Sequence, residues 1–167
     1  MKSVEILSIL FGEKIKLYDE NYYTFPTNLD LLNVSEEKLM ECKAGFRCKY
    51  ILKAAEDVCN NKINLDELFV LDTIMAKNEL IKLLGVGLKV AECVLLFSGI
   101  KYDVFPVDVW IKRIMEIYYF ERETSILDVR NFGLEYFGQF SGFAQQYLFY
   151  YAREHFTKNN IKNNKQI

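Results

Sequence analysis

An all-α fold of short helices is predicted by three features of this sequence. Apolar residues recur at helical spacing in most segments. Only two prolines, Pro26 and Pro106, interrupt the 167 residues. No segment alternates apolar and polar residues long enough to read as a run of strands. With 51% hydrophobic and 15% aromatic residues, the chain has the apolar material for a core and is not a disordered segment. Its length suits one domain, or two small lobes.

The elements follow in order. "SVEILSILFG" carries apolar residues at Val4, Ile6, Leu7, Ile9, Leu10 and Phe11 and stops at Gly12, a helix end. "KIKLYDENYYTFP" reads as a short extended piece. "TNLDLLNVSEEKLMECK" holds two short helices, the second capped by Ser35. "FRCKYILKAAEDVCNN" places Tyr50, Ile51, Ala54, Ala55 and Val58 on one helical face. "NLDELFVLD" and "TIMAKNELIKLL" lead into a glycine turn. Helices then follow in "LKVAECVLLFSG", "VDVWIKRIMEIYYF", "SILDVRNFGLEYFG" and "GFAQQYLFYYAREHF". The helical domain is set at 1–155, with 156–167 as a polar tail that frays.

Composition removes several classes. A net charge of −2 excludes a globally basic nucleic-acid binder, though a local basic groove needs only the right placement of charge. The four cysteines, Cys42, Cys48, Cys59 and Cys93, have no C-x-x-C spacing, and the single histidine, His155, is remote. No zinc or iron–sulfur cluster is expected, and the cysteines read as free thiols. Glu5 breaks the first apolar run and no small-residue cleavage site follows, so no signal peptide is expected. The apolar runs fall short of the about 20 residues a membrane span requires. A soluble protein with no membrane partner is expected, in the cytoplasm with the nucleoid, or in a nucleus.

Chemistry concentrates in "ELIKLLGVGLKVAECVLL", which reads as helix, tight hairpin, helix. Gly85 and Gly87 permit backbone angles that a side chain opposes, and they let a ligand approach the backbone. The first turn of the next helix presents unpaired N–H groups and a positive dipole end, a place for phosphate. An ordinary helix connection without a ligand explains the glycines equally well. Lys89 stands at this helix start. Asp108, in "VFPVDVW", opens another helix 19 residues on, enough to traverse one helix and return. The two converge on one cleft, or they form a plain ion pair, or Asp108 is an N-cap.

"LLGVGLKVAECVLL" followed by "VFPVDVW" resembles the helix-hairpin-helix (HhH-GPD) DNA glycosylase superfamily, and within it the 8-oxoguanine DNA glycosylases. "FGEKIKLYDENYYTFPTNLDLL", "KAGFRCKYILKAA" and "FSGFAQQYLFYY" extend the resemblance over most of the chain, with the hairpin its most specific part. The resemblance implies helical lobes around a DNA-binding cleft. It implies a bifunctional base-excision enzyme that removes oxidised purine (8-oxoguanine) from double-stranded DNA and cleaves abasic sites as an AP lyase. Lys89 would attack C1′ of the damaged nucleotide, the base would leave, and the Schiff base would β-eliminate. The amine must be neutral to attack. A half charge about 5 Å away is worth roughly 1–2 kcal/mol at an effective dielectric near 20, so burial of Lys89 is expected to supply the rest. Asp108 would stabilise positive charge on the sugar and assist proton transfers.

The resemblance also implies base flipping. Cys93, one turn along from Lys89, would touch one face of the extruded base and Phe149 the other. Gln145 would read its Watson–Crick edge, and Phe97 would lie beside the pocket. Phe46, where the family often has tyrosine, and Arg47 would wedge at the base stack. Trp110, where eukaryotic relatives typically carry histidine, would lie near the pocket or a phosphate. Gly85, Gly87 and Val90 would form the phosphate grip with the N–H of Lys89. Carbonyls of Ile81, Leu83 and Val86 would hold a structural cation. Leu84 replaces the proline common in the motif. No cofactor is required, and a monomer is expected.

The larger family members begin with an antiparallel β domain and a wedge segment, and neither is visible here. That leaves AP-lyase chemistry better supported than lesion selectivity. It keeps open a non-catalytic helix-hairpin-helix DNA-binding module and an inactive truncated remnant. Endonuclease-III-like pyrimidine specificity fits less well, because that family usually carries a C-terminal cysteine cluster and no cysteine follows Cys93. Adenine-specific relatives generally lack the lysine that Lys89 provides.

Overall fold

The computed structural model describes residues 2–156. They fall into two compact units. One comprises the chain up to Leu68 with Glu79–Val86, the other Phe69–Asn78 with the chain from Gly87 onward. No helix among the described residues is long and apolar enough to cross a membrane.

In the first unit, α1 (Lys2–Phe11) is followed by β1 (Lys14–Leu17) and β2 (Glu20–Tyr23), an antiparallel pair with Lys14 opposite Tyr23 and Leu17 opposite Glu20. The expected extended piece is therefore a hairpin, the one sheet among the described residues. Both its faces are exposed, so burial imposes no apolar alternation that a sequence pattern could reveal. Tyr18 takes the left-handed conformation its two-residue turn demands. Next come α2 (Asn28–Leu31), α3 (Glu36–Met40) and α4 (Cys48–Cys59). Thr27 and Asp30 close a capping box on α2, and Ser35 caps α3 by accepting from Lys38 N–H, as expected. The core joins Leu7, Leu31, Leu39, Cys42, Cys48 and Ala55, with Ile51 and Leu52 packed against it. The buried stripe of α4 is thus 48, 51, 52 and 55, rotated from the face expected around Tyr50, Ala54 and Val58. Charge moves it: Asp57 is buried and paired with Lys53 and Lys62, taking up the flank beside Val58.

α5 (Glu67–Val70) and α6 (Thr73–Ile81) precede the second unit's main helices. These are α7 (Leu88–Phe97), α8 (Val109–Met115), α9 (Ile126–Phe137) and α10 (Ser141–His155). α10 packs on α8 and α9. The core joins Phe105, Val107, Ile111, Ile114, Met115, Val129, Ala152 and Phe156. Phe156, counted with the tail on sequence, is buried and packs within this core. The rest of the expected tail, 157–167, lies outside the described residues. Gly133 is a packing requirement: a Cβ there would sit 2.4 Å from the ring of fully buried Phe105. All four cysteines are free thiols.

Gly133→Ala is expected to lower stability by about 1–3 kcal/mol through overpacking against Phe105. A urea unfolding midpoint measures it, and an unchanged midpoint would contradict this account of the core.

Candidate active site on helices α7, α8 and α10

α7 and α8 each begin at a residue the sequence had singled out. Gly87 is the N-cap of α7, in extended conformation and without a side-chain cap. Lys89 is therefore the second residue of the helix. Asp108 is the N-cap of α8, and its Oδ1 accepts from the N–H groups of Trp110 and Ile111, both at 2.9 Å. The cap is real, and it leaves Oδ2 with no hydrogen bond among the described residues.

The approach to Asp108 is fixed by α10. Tyr102 O accepts from Gly142 N–H at 2.8 Å, Val104 O from Ser141 Oγ at 3.2 Å, and Pro106 O from Gln145 Nε2 at 2.9 Å. Val104, Phe105, Pro106 and Val107 are all buried, so the segment that delivers Asp108 is locked along its length. On the other side, Glu92 locks α7. Its carboxylate is wholly buried, and its Oε1 accepts from Arg130 Nε at 2.7 Å and pairs with Arg130 Nη2 at 2.7 Å. Lys77 Nζ stands 3.7 Å from the same oxygen.

Lys89, Cys93 and Phe97 form one stripe of α7 at i, i+4 and i+8. Lys89 is exposed, Cys93 half-buried and Phe97 67% exposed. The exposure of Lys89 corrects the burial expected for it. Side chains lean toward a helix's N-terminus, so from the second position its chain runs out past the first turn. Burial raises the Cys93 thiol above its ordinary range; Glu92 and Asp108 add to the rise and Lys89 opposes it. The thiol stays protonated at neutral pH, and the charges of Lys89 and Asp108 both reach it. Three sequence-predicted residues thus share one neighbourhood.

Phe149 is half-buried on α10 and, like Trp110 of α8, packs against the core of this unit. The Arg153 guanidinium lies over both rings, 5.8 Å from that of Phe149 and 5.9 Å from that of Trp110. Gln145 is only 4% exposed, and both ends of its amide are engaged: Nε2 donates to Pro106 O, and Oε1 accepts from Gln146. Its first role is to hold the Pro106 segment.

The remaining candidates belong to the first unit, apart from Gly87 and Val90. Gly85 has φ +81°, and a Cβ there would meet the Tyr50 ring at 2.6 Å. Phe46 meets Tyr50 edge-on, and Arg47 lies 4.7 Å over the exposed Phe46 ring. Gly87 differs: its φ is ordinary and a Cβ would meet nothing within 4 Å among the described residues, none of which requires glycine there. Val90 is exposed. Of the three hairpin carbonyls, Leu83 O accepts from Val86 N–H at 3.1 Å; those of Ile81 and Val86 accept no bond in the loop among the described residues.

Sequence reasoning missed Arg153, Glu92, Arg130 and Tyr50. Arg153 had a signal, four residues after Phe149 on the same helix. Glu92 had one too, as a carboxylate within an apolar helix.

Residues 8–135 match the HhH-GPD superfamily of base excision DNA repair proteins. The chain belongs to this superfamily. It is 29% identical over 171 residues to a probable N-glycosylase/DNA lyase of Methanothermobacter thermautotrophicus, covering 91% of this chain and 54% of that protein. A solved complex of MBOgg1 with a low-affinity DNA ligand is similar at TM-score 0.88 and 45% identity, over 92% of this chain and 53% of that one. The Clostridium acetobutylicum 8-oxoguanine glycosylase/lyase, bound to duplex DNA with cytosine opposite 8-oxoguanine, gives TM-score 0.87 and 43% identity, over 92% and 53%. The chain spans about half the length of these HhH-GPD relatives.

Asp108→Asn is expected to keep the α8 cap and leave stability within a few tenths of a kcal/mol, whereas Asp108→Ala loses about 0.5–2 kcal/mol. Thermal unfolding separates the two, and equal losses would mean the cap seen here contributes nothing.

Proposed function

We propose that this chain is a bifunctional base-excision DNA glycosylase and AP lyase acting on oxidised purine, 8-oxoguanine, in double-stranded DNA. The observation that carries the reading is that Lys89 and Asp108 stand at the heads of α7 and α8 and that the charges of both act on the Cys93 thiol. The names of the relatives support the same class of reaction.

Lys89 attacks C1′ as a neutral amine. Bound DNA would supply the desolvation that the exposed side chain lacks in the free protein. The Lys89–sugar bond forms as the bond to the base breaks. Loss of the ring C–O bond then gives the Schiff base, and β-elimination breaks the bond to the 3′ phosphate. Asp108 keeps Oδ1 on the cap and turns Oδ2 toward the developing positive charge. Cys93 and Phe149 hold the two faces of the extruded base, with Phe97 at the pocket edge. Gln145 offers its remaining N–H to the Watson–Crick edge.

Gly87 leaves room for a phosphate at the N–H groups of Lys89 and Val90. Phe46 and Arg47 would offer an aromatic wedge and a cation to the duplex, and Trp110 would lie near the pocket or a phosphate. The carbonyls of Ile81 and Val86, uncommitted in the loop, would hold a cation together with that of Leu83. The protein acts as a monomer without a cofactor.

Borohydride trapping tests the chemistry. Duplexes carrying 8-oxoguanine or an abasic site are each mixed with the protein and with Lys89→Gln. A Lys89-dependent covalent band on both is expected. Trapping on the abasic duplex alone would restrict the chain to lyase chemistry. No band from a folded sample would sink the enzymatic reading and leave a DNA-binding module.

The phosphate grip has its own test. Gly87→Ser is expected to hold or raise stability, since serine caps well, yet weaken duplex binding on the order of tenfold by fluorescence anisotropy. Gly85→Ala should instead cost stability, about 1 kcal/mol or more, from its positive φ and the Tyr50 ring. Unchanged DNA affinity in Gly87→Ser would remove the grip.

A further inference from the structure

A cavity of about 460 Å³ opens in the second unit, away from the Lys89–Cys93–Phe97 stripe. Thr73, Ile74 and Lys77 of α6, Asp103, and Arg130 and Leu134 of α9 line it. Its volume is within the range of small-molecule sites.

The side chains in it are not at rest electrostatically. Lys77 is only 8% exposed. Its 3.7 Å separation from Glu92 Oε1 is too long for a hydrogen bond, and it donates none among the described residues. Arg130 spends Nε and Nη2 on that same oxygen, and its Nη1 donates to nothing among the described residues. Two cations therefore share one carboxylate oxygen, and both line the cavity with N–H donors to spare. A buried ammonium without a hydrogen bond is costly. Burial and the Arg130 charge hold the Lys77 amine below the ordinary lysine range, a tension that an anion would relieve.

The other walls narrow the ligand. The free donors of Lys77 and Arg130 outnumber what the two oxygens of a carboxylate accept, and they suit the three oxygens of a phosphate. Asp103 accepts the Thr73 hydroxyl at 2.7 Å and stays exposed at the rim, able to accept from a hydroxyl of the ligand. Ile74 and Leu134 supply apolar surface.

We propose that this cavity binds a small phosphomonoester bearing hydroxyl groups, of the size of a nucleoside monophosphate. The phosphate sits on Lys77 and Arg130, a sugar hydroxyl donates to Asp103, and the body lies against Ile74 and Leu134. The site does not depend on the reaction proposed above.

Isothermal titration of the intact protein tests this with inorganic phosphate, deoxyguanosine monophosphate and acetate. Phosphate is expected to bind, the nucleotide more tightly, and acetate not at all. Lys77→Met leaves the Glu92–Arg130 pair in place and should weaken both phosphate ligands on the order of tenfold or more. Asp103→Asn, at the exposed rim, should tighten inorganic phosphate about threefold by removing a repelling charge. The second variant works in the opposite direction, so a folding defect cannot mimic the pattern. No heat with millimolar phosphate overturns the proposal. So does acetate binding as well as phosphate, or unchanged affinity in both variants. Displacement of the nucleotide by undamaged duplex would assign the cavity to a backbone phosphate of DNA and overturn the small-molecule reading.

Discussion

The second unit is organised by the locking of one extended segment, Val104–Val107, onto the start of α10. Pro106 has no N–H and cannot take part in a ladder, so its carbonyl needs a donor from elsewhere. Gln145 supplies it from inside the core, with Gly142 and Ser141 holding the carbonyls before it. The backbone N–H of Gly142 can come so close because glycine has no Cβ; one there would lie 2.8 Å from Tyr102 O and 2.5 Å from Leu96. This segment ends at Asp108. Its fixed course sets where α8 begins and which way the capping carboxylate points, and it brings Phe105 and Val107 into the core that α8 and α10 share.

α7 is held by a different device. A carboxylate buried at 0% exposure costs several kcal/mol to desolvate, and its pairing with Arg130 does little more than offset that. What the pair provides is direction. Glu92 accepts from Arg130 Nε and pairs with its Nη2 on a single oxygen, which orients α7 against α9, while its Oε2 is buried and without a partner among the described residues. With the helix held by Glu92 and by the buried Ala91, Leu95 and Leu96, Lys89 and Phe97 of the stripe stay exposed. A surface that contributes little to stability is the one on which reactive and apolar groups can stay uncovered.

Much of this was legible in the sequence because it was local. Helix starts at Ser35 and Asp108, the hairpin at Gly85 and Gly87, and the i, i+4 relation of Lys89 and Cys93 all follow from neighbours within a few residues. What could not be read either leaves no apolar pattern or rests on charge pairing, near or distant in sequence. The β1–β2 hairpin buries neither face, so no pattern marks it. The stripe of α4 is turned by two lysines that pair with Asp57. The partner of Glu92 lies 38 residues away in α9, and nothing in either segment announces the other. The clearest inversion is in "LKVAECVLL": the sequence drew attention to its lysine as the charge to be buried, whereas the residue buried is its glutamate.

The N-cap that Asp108 forms and the catalytic role proposed for it are compatible. The cap takes Oδ1 alone, and by taking it fixes the rotamer that aims Oδ2. A carboxylate free of the cap would turn about its side-chain torsions and lose time in unproductive directions; one wholly consumed by it could not meet a developing charge. At the start of α7 the helix end likewise leaves N–H groups that a phosphate can use. Lys89 and Asp108 both stand at helix N-termini, where the backbone supplies unpaired donors and a fixed positive field.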